Sequence, residues 1–335
     1  MLWVQFAICS TLIVVVGSLL SRYADMLAEK TGLGQSWVGG ILLAGTTSLP
    51  ELATGLSAVL IVDDVNLAAG GILGSCLFNL CLIALLDVLA GETPVLKRAE
   101  ISHILAASLG CVMLSLVMIG LYLTQSLALP ALGWIGLPSL AILAVYFVSV
   151  RIISSFERHR MQEVLAREAI VYQYAAVPTW RAALSFGLCA AAIVGLGLWL
   201  AALGEEIALT TGLGASFVGA IFLAVTTSLP EVVASLAAMR LGAVDLAVAN
   251  IFGSNIFNIF VLAIYDLAYR SGSIWAQLAP VHAFAAVAST LMTALTIIGL
   301  IYQSRRRPRW FVSWDAALLV ALYLGSMGVI YLGPR

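Results

Sequence analysis

The sequence predicts an all-α membrane protein of about ten transmembrane helices, arranged as two five-helix repeats of inverted topology. Three observations lead there. Of 335 residues, 62% are hydrophobic and only 10% charged, with a mean hydropathy of +1.07. A water-soluble domain carries about a quarter charged residues, so this much apolar surface has no place in water. Apolar stretches of bilayer-spanning length, about 20 residues, recur along the whole chain. Finally, "TGLGQSWVGGILLAGTTSLPE" from Thr31 aligns without gaps to "TGLGASFVGAIFLAVTTSLPE" from Thr211 at an offset of 180, and "GSCLFN" (Gly74–Asn79) matches "GSNIFN" (Gly253–Asn258) at an offset of 179.

The spans fall near 2–20, 36–60, 67–89, 101–122, 130–150, 182–203, 216–239, 246–269, 279–301 and 312–332. The N-terminal "MLWVQFAICS" lacks the basic region of a cleavable signal, so the first span is expected to be retained. Between spans five and six lies the one long polar connection, Arg151 to Arg181. It divides the chain into a first repeat over residues 1–150, a linker over 151–181 and a second repeat over 182–335. Five spans per repeat is an odd number, so the second copy enters the membrane from the opposite side.

Basic residues set the orientation. With ten spans, fourteen of the sixteen Lys and Arg residues fall on one side, leaving only Arg270 and Arg335 on the other. The linker is therefore expected in the cytoplasm and both termini outside. Cys9, Cys76, Cys81, Cys111 and Cys189 lie in apolar segments without metal-ligand spacing and read as small membrane-helix residues. A net charge of −1 with no long basic run excludes a nucleic-acid partner. Oligomeric state is not legible.

Each repeat places a carboxylate near the centre of a span, Glu51 and Glu231, where an unpaired charge costs several kcal/mol. Pro50 and Pro230 precede them and break the helix, because proline has no N–H and clashes with the carbonyl four residues back. Freed carbonyls in a membrane survive where they line a polar cavity. Those are the carbonyls of Thr46 and Thr226, with Ala44 and Ala224 close behind. Thr47 and Ser48 lie four and three residues before Glu51, so their hydroxyls are placed on its side of the segment; Thr227 and Ser228 repeat the pattern before Glu231. Ser75 and Asn79, like Ser254 and Asn258, are spaced i, i+4 on the following span. Gly74 and Gly253 suit close helix approach. Hydroxyl, amide, carboxylate and backbone oxygens form a hard, all-oxygen donor set suited to Ca²⁺ or Na⁺. A site with two carboxylates is neutralised by one divalent ion, two protons or two sodium ions, and each excludes the others, which is the physical basis of exchange.

Other intramembrane polar residues read differently. Asp87 and Asp266 lie near span ends and suit capping or interfacial roles. His103 and His282 stand at equivalent positions in spans four and nine, where a proton relay is the alternative to a structural role. Asp63, Asp64, Glu205 and Glu206 make one face acidic, either attracting cations or merely solvated.

Paired "TSLPE" and "GSxxFN" segments in two inverted five-helix halves resemble the alpha repeats of the sodium/calcium exchanger family, within the cation/calcium antiporter superfamily. The resemblance covers Thr31–Asp87 and Thr211–Asp266. It implies a prokaryotic-type transport core in the inner (plasma) membrane that exchanges Ca²⁺ for Na⁺ by alternating access, with spans one and six sliding across the rest; an H⁺-coupled antiporter, or one for another divalent cation, is the alternative within the same fold. It also implies that Glu51 and Glu231 are the central Ca²⁺ ligands. Thr47, Ser48, Ser75, Asn79, Thr227, Ser228, Ser254 and Asn258 would complete the Ca²⁺ and Na⁺ sites. The transported ions are substrates; no cofactor is implied. Four positions depart from the family pattern: Thr46 and Thr226 replace glycine, Cys76 stands in the first "GSN", and Asn258 replaces an acid used by potassium-dependent relatives, which favours potassium independence. An intramembrane enzyme is disfavoured by the lack of G-x-S-x-G or H-E-x-x-H motifs. A cation channel, which inverted repeats and broken helices can also build, is the nearer rival.

Overall fold

A computed structural model describes residues 1–30, 44–90, 93–127, 129–165, 177–240, 242–302 and 313–333. Among the described residues the regular structure is helical apart from one hairpin of two residues per strand. Its long elements are α1 (Leu2–Lys30), α2 (Leu49–Ser57, running into a π turn Ala58–Val62), α3 (Val65–Leu89), α4 (His103–Leu127) and α5 (Leu137–Leu165), then α6 (Thr179–Thr211), α7 (Ala215–Thr227 bent into Leu229–Arg240), α8 (Val244–Ala268), α9 (Val281–Tyr302) and α10 (Trp314–Leu332). Each falls on one of the ten expected spans. Eight are long and apolar enough to cross a bilayer, nine with the bent α7. Of the second span, residues 36–43 lie outside the described residues, as do 166–176 of the polar connection.

Composition explains the layering. In α3 and α8, 72% of the apolar window is buried, against 28% in α1 and α6. The repeated central helices thus form the core, and α1 and α6 turn most of their apolar surface outward, as helices facing lipid do. Small residues permit the closest crossings. A Cβ on Gly74 of α3 would come within 2.5 Å of the Ala220 Cα in α7, and one on Gly70 within 2.5 Å of the Ser216 carbonyl oxygen. Only glycine allows that backbone approach.

Several boundaries differ from the sequence expectation. Span five, expected at 130–150, begins later: Ala131–Leu132 and Ile135–Gly136 pair as an antiparallel hairpin around Gly133, whose φ of +68° suits glycine, and α5 starts at Leu137. Buried Asp266 causes this. Its Oδ2 accepts from Gly136 N (2.7 Å) and Ser139 Oγ (2.6 Å), while Oδ1 accepts from Ile274 N (2.8 Å) and Ser273 Oγ (3.1 Å). Asp87 does the equivalent work for α10, accepting from Val95 N (2.8 Å) and Ser313 N (3.0 Å). Both aspartates are loop-fastening acceptors of N–H groups, the capping role their positions suggested.

The histidines fasten helix starts across the repeats. His103 Nε2 lies 3.0 Å from Asp245 Oδ1 at the start of α8, and His282 Nε2 lies 3.1 Å from Asn66 Oδ1 at the start of α3. Asp64, one of the acidic-face residues, is the N-cap of α3, accepting from the N–H groups of Asn66 and Leu67 at 2.9 Å.

Candidate functional site

The site is made by two helix breaks meeting at the centre of the bundle. Pro230 offers no N–H to the Thr226 carbonyl, and α7 bends by 42° around Ser228. Ser48 occupies the same place in the first repeat, between helical residues 44–47 and the start of α2 at Leu49. At each break the preceding turn is closed by the serine N–H, from Ser48 to Ala44 O at 3.1 Å and from Ser228 to Ala224 O at 3.0 Å. The glutamates follow in the first turn of the resumed helix and are buried, Glu51 to 3% exposure and Glu231 to 0%.

The serines then cross over. Ser48 Oγ donates to Glu231 Oε1 at 2.9 Å, and Ser228 Oγ donates to Glu51 Oε1 at 2.8 Å. Each glutamate also receives a longer contact from the "GS" serine of its own repeat: Ser75 Oγ to Glu51 Oε1 and Ser254 Oγ to Glu231 Oε1, both 3.4 Å. Thr227 lies beside Glu51 and Thr47 beside Glu231. Thr47 Oγ1 also bonds the Ala44 carbonyl (3.0 Å) and sits 3.4 Å from Ser254 Oγ, while Thr227 Oγ1 bonds the carbonyls of Leu223 (2.9 Å) and Ala224 (3.3 Å). The Ala224 carbonyl receives Ser75 Oγ at 3.4 Å. Ala44 and Ala224 are therefore hydrogen-bond acceptors inside the same cluster.

Asn79 and Asn258 lie one turn past Ser75 and Ser254 on α3 and α8, both fully buried. Four buried oxygens there have no hydrogen-bond partner: Glu51 Oε2, Glu231 Oε2, Asn79 Oδ1 and Asn258 Oδ1. Unpaired buried acceptors cost about 1–3 kcal/mol each, more when charged. Unpartnered oxygens of this kind suit a hard cation, which supplies charge and coordination together. Among the described residues no group of three or more His, Cys, Asp or Glu is placed to hold a metal ion. A cavity of about 10 Å³, room for one water, touches Glu51, Thr54, Thr227 and Tyr265.

The chain matches the family model described as "Sodium/calcium exchanger protein" over residues 1–154 and 181–332. It belongs to the sodium/calcium exchanger family. Among its relatives is the inner membrane protein YrbG of Escherichia coli, 30% identical over 270 residues that span 76% of this chain and 78% of that protein. The same fold appears in the H⁺/Ca²⁺ exchanger CAX, at a TM-score of 0.68 and 14% identity over 99% of this chain and 85% of that one. It appears also in the sodium-calcium exchanger NCX_Mj, at 0.58 and 18% over 98% and 99%. As a member of this exchanger family the chain is an integral membrane antiporter with two inverted five-helix repeats, and the family is one of transporters.

Of the twelve residues named from the sequence, Glu51, Glu231, Thr47, Ser48, Ser75, Thr227, Ser228, Ser254, Ala44 and Ala224 are joined by these contacts, while Asn79 and Asn258 lie one turn farther along α3 and α8. Two more were not foreseen. Tyr265 Oη donates to the Glu51 main-chain carbonyl at 2.8 Å, and Asn255 bonds both Asn79 and the Cys76 carbonyl. The repeat conceals them, because their first-half counterparts are Leu86 and Cys76.

Proposed function

We propose that the chain is a secondary active antiporter that exchanges Ca²⁺ for Na⁺ across a prokaryotic inner membrane by alternating access, with Glu51 and Glu231 as the central cation ligands. The carrying observation is the pair of buried glutamates, each anchored at Oε1 by a serine of the other repeat and each retaining an unpartnered Oε2. The serines hold the carboxylates in place and leave one oxygen of each for the cargo. The hydroxyls of Thr47, Thr227, Ser75 and Ser254 and the amides of Asn79 and Asn258 fill the remaining positions of Ca²⁺ and Na⁺ sites. Two charges in a low-dielectric site make the uncompensated state costly, so the transporter reorients when loaded and stalls when bare. That condition makes it an exchanger and not a channel.

Proton coupling is the second reading, favoured by one feature. Each Oε2 lies buried without a partner, and a proton there cancels the charge without further ligands. The counter-ion is tested by ⁴⁵Ca²⁺ uptake into proteoliposomes against an imposed Na⁺ gradient and, separately, a pH gradient. Uptake driven by Na⁺ alone supports the first reading; uptake driven equally by pH without Na⁺ replaces it with the second. Flux that does not saturate and needs no opposing ion would identify a channel.

A further inference from the structure

The amides between α3 and α8 are wired in one direction. A main-chain carbonyl can only accept, so the Asn255 side chain presents its amino group to the Cys76 carbonyl, Nδ2 to O at 3.2 Å. That leaves Asn255 Oδ1 toward Asn79, whose Nδ2 donates to it at 3.2 Å. Turning Asn255 over would set its oxygen against the carbonyl oxygen and its amino group elsewhere. The polarity is therefore fixed through two side chains, and the only end of Asn79 left over is its buried Oδ1.

The second half lacks this wiring. At the repeat offset of 179, Asn255 corresponds to Cys76, and the contact is mirrored in position: Cys76 Sγ reaches the Asn255 main-chain carbonyl at 4.0 Å. A thiol has one weak donor and only a weak acceptor, so it cannot relay a polarity to a further group as a carboxamide does. Asn258, the counterpart of Asn79, accordingly has no amide partner: the Cys76 thiol, a weak one, lies beside its side chain, and neither Oδ1 nor Nδ2 makes a well-formed hydrogen bond.

We propose that Asn255 is a positioning residue that holds Asn79 as an oxygen-only ligand for the transported cation, and that Cys76 leaves the Asn258 carboxamide free to turn, so the two pseudo-symmetric half-sites bind cations unequally. With Oδ1 inward, Asn258 serves a loaded site. With Nδ2 inward it offers a donor to a carboxylate that has lost its cation. This inference rests on Ca²⁺ being a cargo of the central cluster.

The test is a double-mutant cycle on the full chain in proteoliposomes, reading half-saturating Ca²⁺ and maximal uptake rate, with gel filtration and thermal melting as folding controls. Asn255→Ala is expected to raise half-saturating Ca²⁺ roughly tenfold, about 1.4 kcal/mol, by more than it lowers the maximal rate. In an Asn79→Ala background the same substitution is expected to change half-saturation no further. Additive effects would mean that Asn255 acts independently of Asn79 and would overturn the proposal. Cys76→Asn supplies the missing relay and is expected to shift half-saturating Ca²⁺ several-fold; a folded Cys76→Asn protein with wild-type half-saturation overturns the second half of the proposal, whatever the fate of the alanine variants. Wild-type protein that neither binds nor transports Ca²⁺ would remove the functional reading and this inference together. Wild-type transport with an unaltered Asn255→Ala removes this inference alone.

Discussion

Replacing Glu51 by glutamine separates charge from shape. The amide oxygen can take the place of Oε1 and keep the hydrogen bonds from Ser228 at 2.8 Å and Ser75 at 3.4 Å, so the helix break keeps its anchor. The amino group replaces Oε2, the oxygen with no partner, and removes one of two negative charges from a site buried to 3% exposure or less. In the loaded site the carboxylate and the cation form a buried ion pair, and removing one partner of such a pair costs about 3–5 kcal/mol. For a bound divalent cation that is a loss of roughly two to three and a half powers of ten in affinity. The assay is ⁴⁵Ca²⁺ uptake by proteoliposomes at a Ca²⁺ concentration that half-saturates the wild type, with monodispersity and melting midpoint as evidence of folding. Glu51→Gln and Glu231→Gln are each expected to abolish uptake while leaving the melting midpoint close to wild type. A well-folded variant that transports within about threefold of wild type would refute the assignment of that carboxylate, because a loss of about 3 kcal/mol lowers affinity by more than a hundredfold.

Other predictions follow from packing, anchoring and charge. Gly197→Ala places a Cβ 2.8 Å from Ala53 Cβ and 2.9 Å from the main-chain nitrogen of Thr54, three residues past Glu51. It is expected to cost about 1–3 kcal/mol and to slow transport, while Gly195→Ala on the same helix, with nothing within 4 Å, should match wild type in both melting and rate; equal behaviour of the two would discount the α6–α2 contact. Asp266→Asn turns an amino group toward donors from Gly136, Ser139, Ile274 or Ser273, so it should lower stability by about 2 kcal/mol or more without altering half-saturating Ca²⁺ in the folded fraction. A tenfold affinity change at unchanged melting would instead place Asp266 in ion binding. The distribution of basic residues predicts that a cysteine at Glu163 reacts with an impermeant thiol reagent from the cytoplasmic side only; labelling from outside intact cells reverses the topology. With −2 from Glu51 and Glu231, one Ca²⁺ gives a neutral loaded site and three Na⁺ give +1, so Na⁺-coupled flux at that ratio should respond to a clamped potential by about 2.3 kcal/mol per 100 mV. Voltage-independent flux would point to an electroneutral exchange.

The repeat was readable because its two copies keep 21 aligned positions free of gaps, and the ten spans because bilayer length is a strong physical constraint. Glu51, Glu231 and their neighbouring prolines announced the site, since carboxylates and helix breakers are both costly in lipid and coincided twice. Sequence spacing could not show which serine serves which glutamate. The i, i+3 rule puts Ser48 beside Glu51 in an unbroken helix, but the turn at Ser48 redirects its hydroxyl to Glu231. The hairpin before α5 was hidden inside an apolar stretch that reads as continuous span, its cause lying 130 residues away in Asp266. Repeat equivalence does not mark Asn255 as a site residue, because its twin is Cys76.

The exchange of serines across the repeats carries a consequence for ancestry. Neither five-helix half owns a finished carboxylate position: the hydroxyl that steadies Glu51 is encoded in the second half, and the one that steadies Glu231 in the first. A lone half would keep only the longer contact from its own "GS" serine, and an antiparallel second copy would supply the shorter one. A change at Ser48 is felt first by Glu231, so the two halves answer to selection as a single unit even where their sequences have drifted apart.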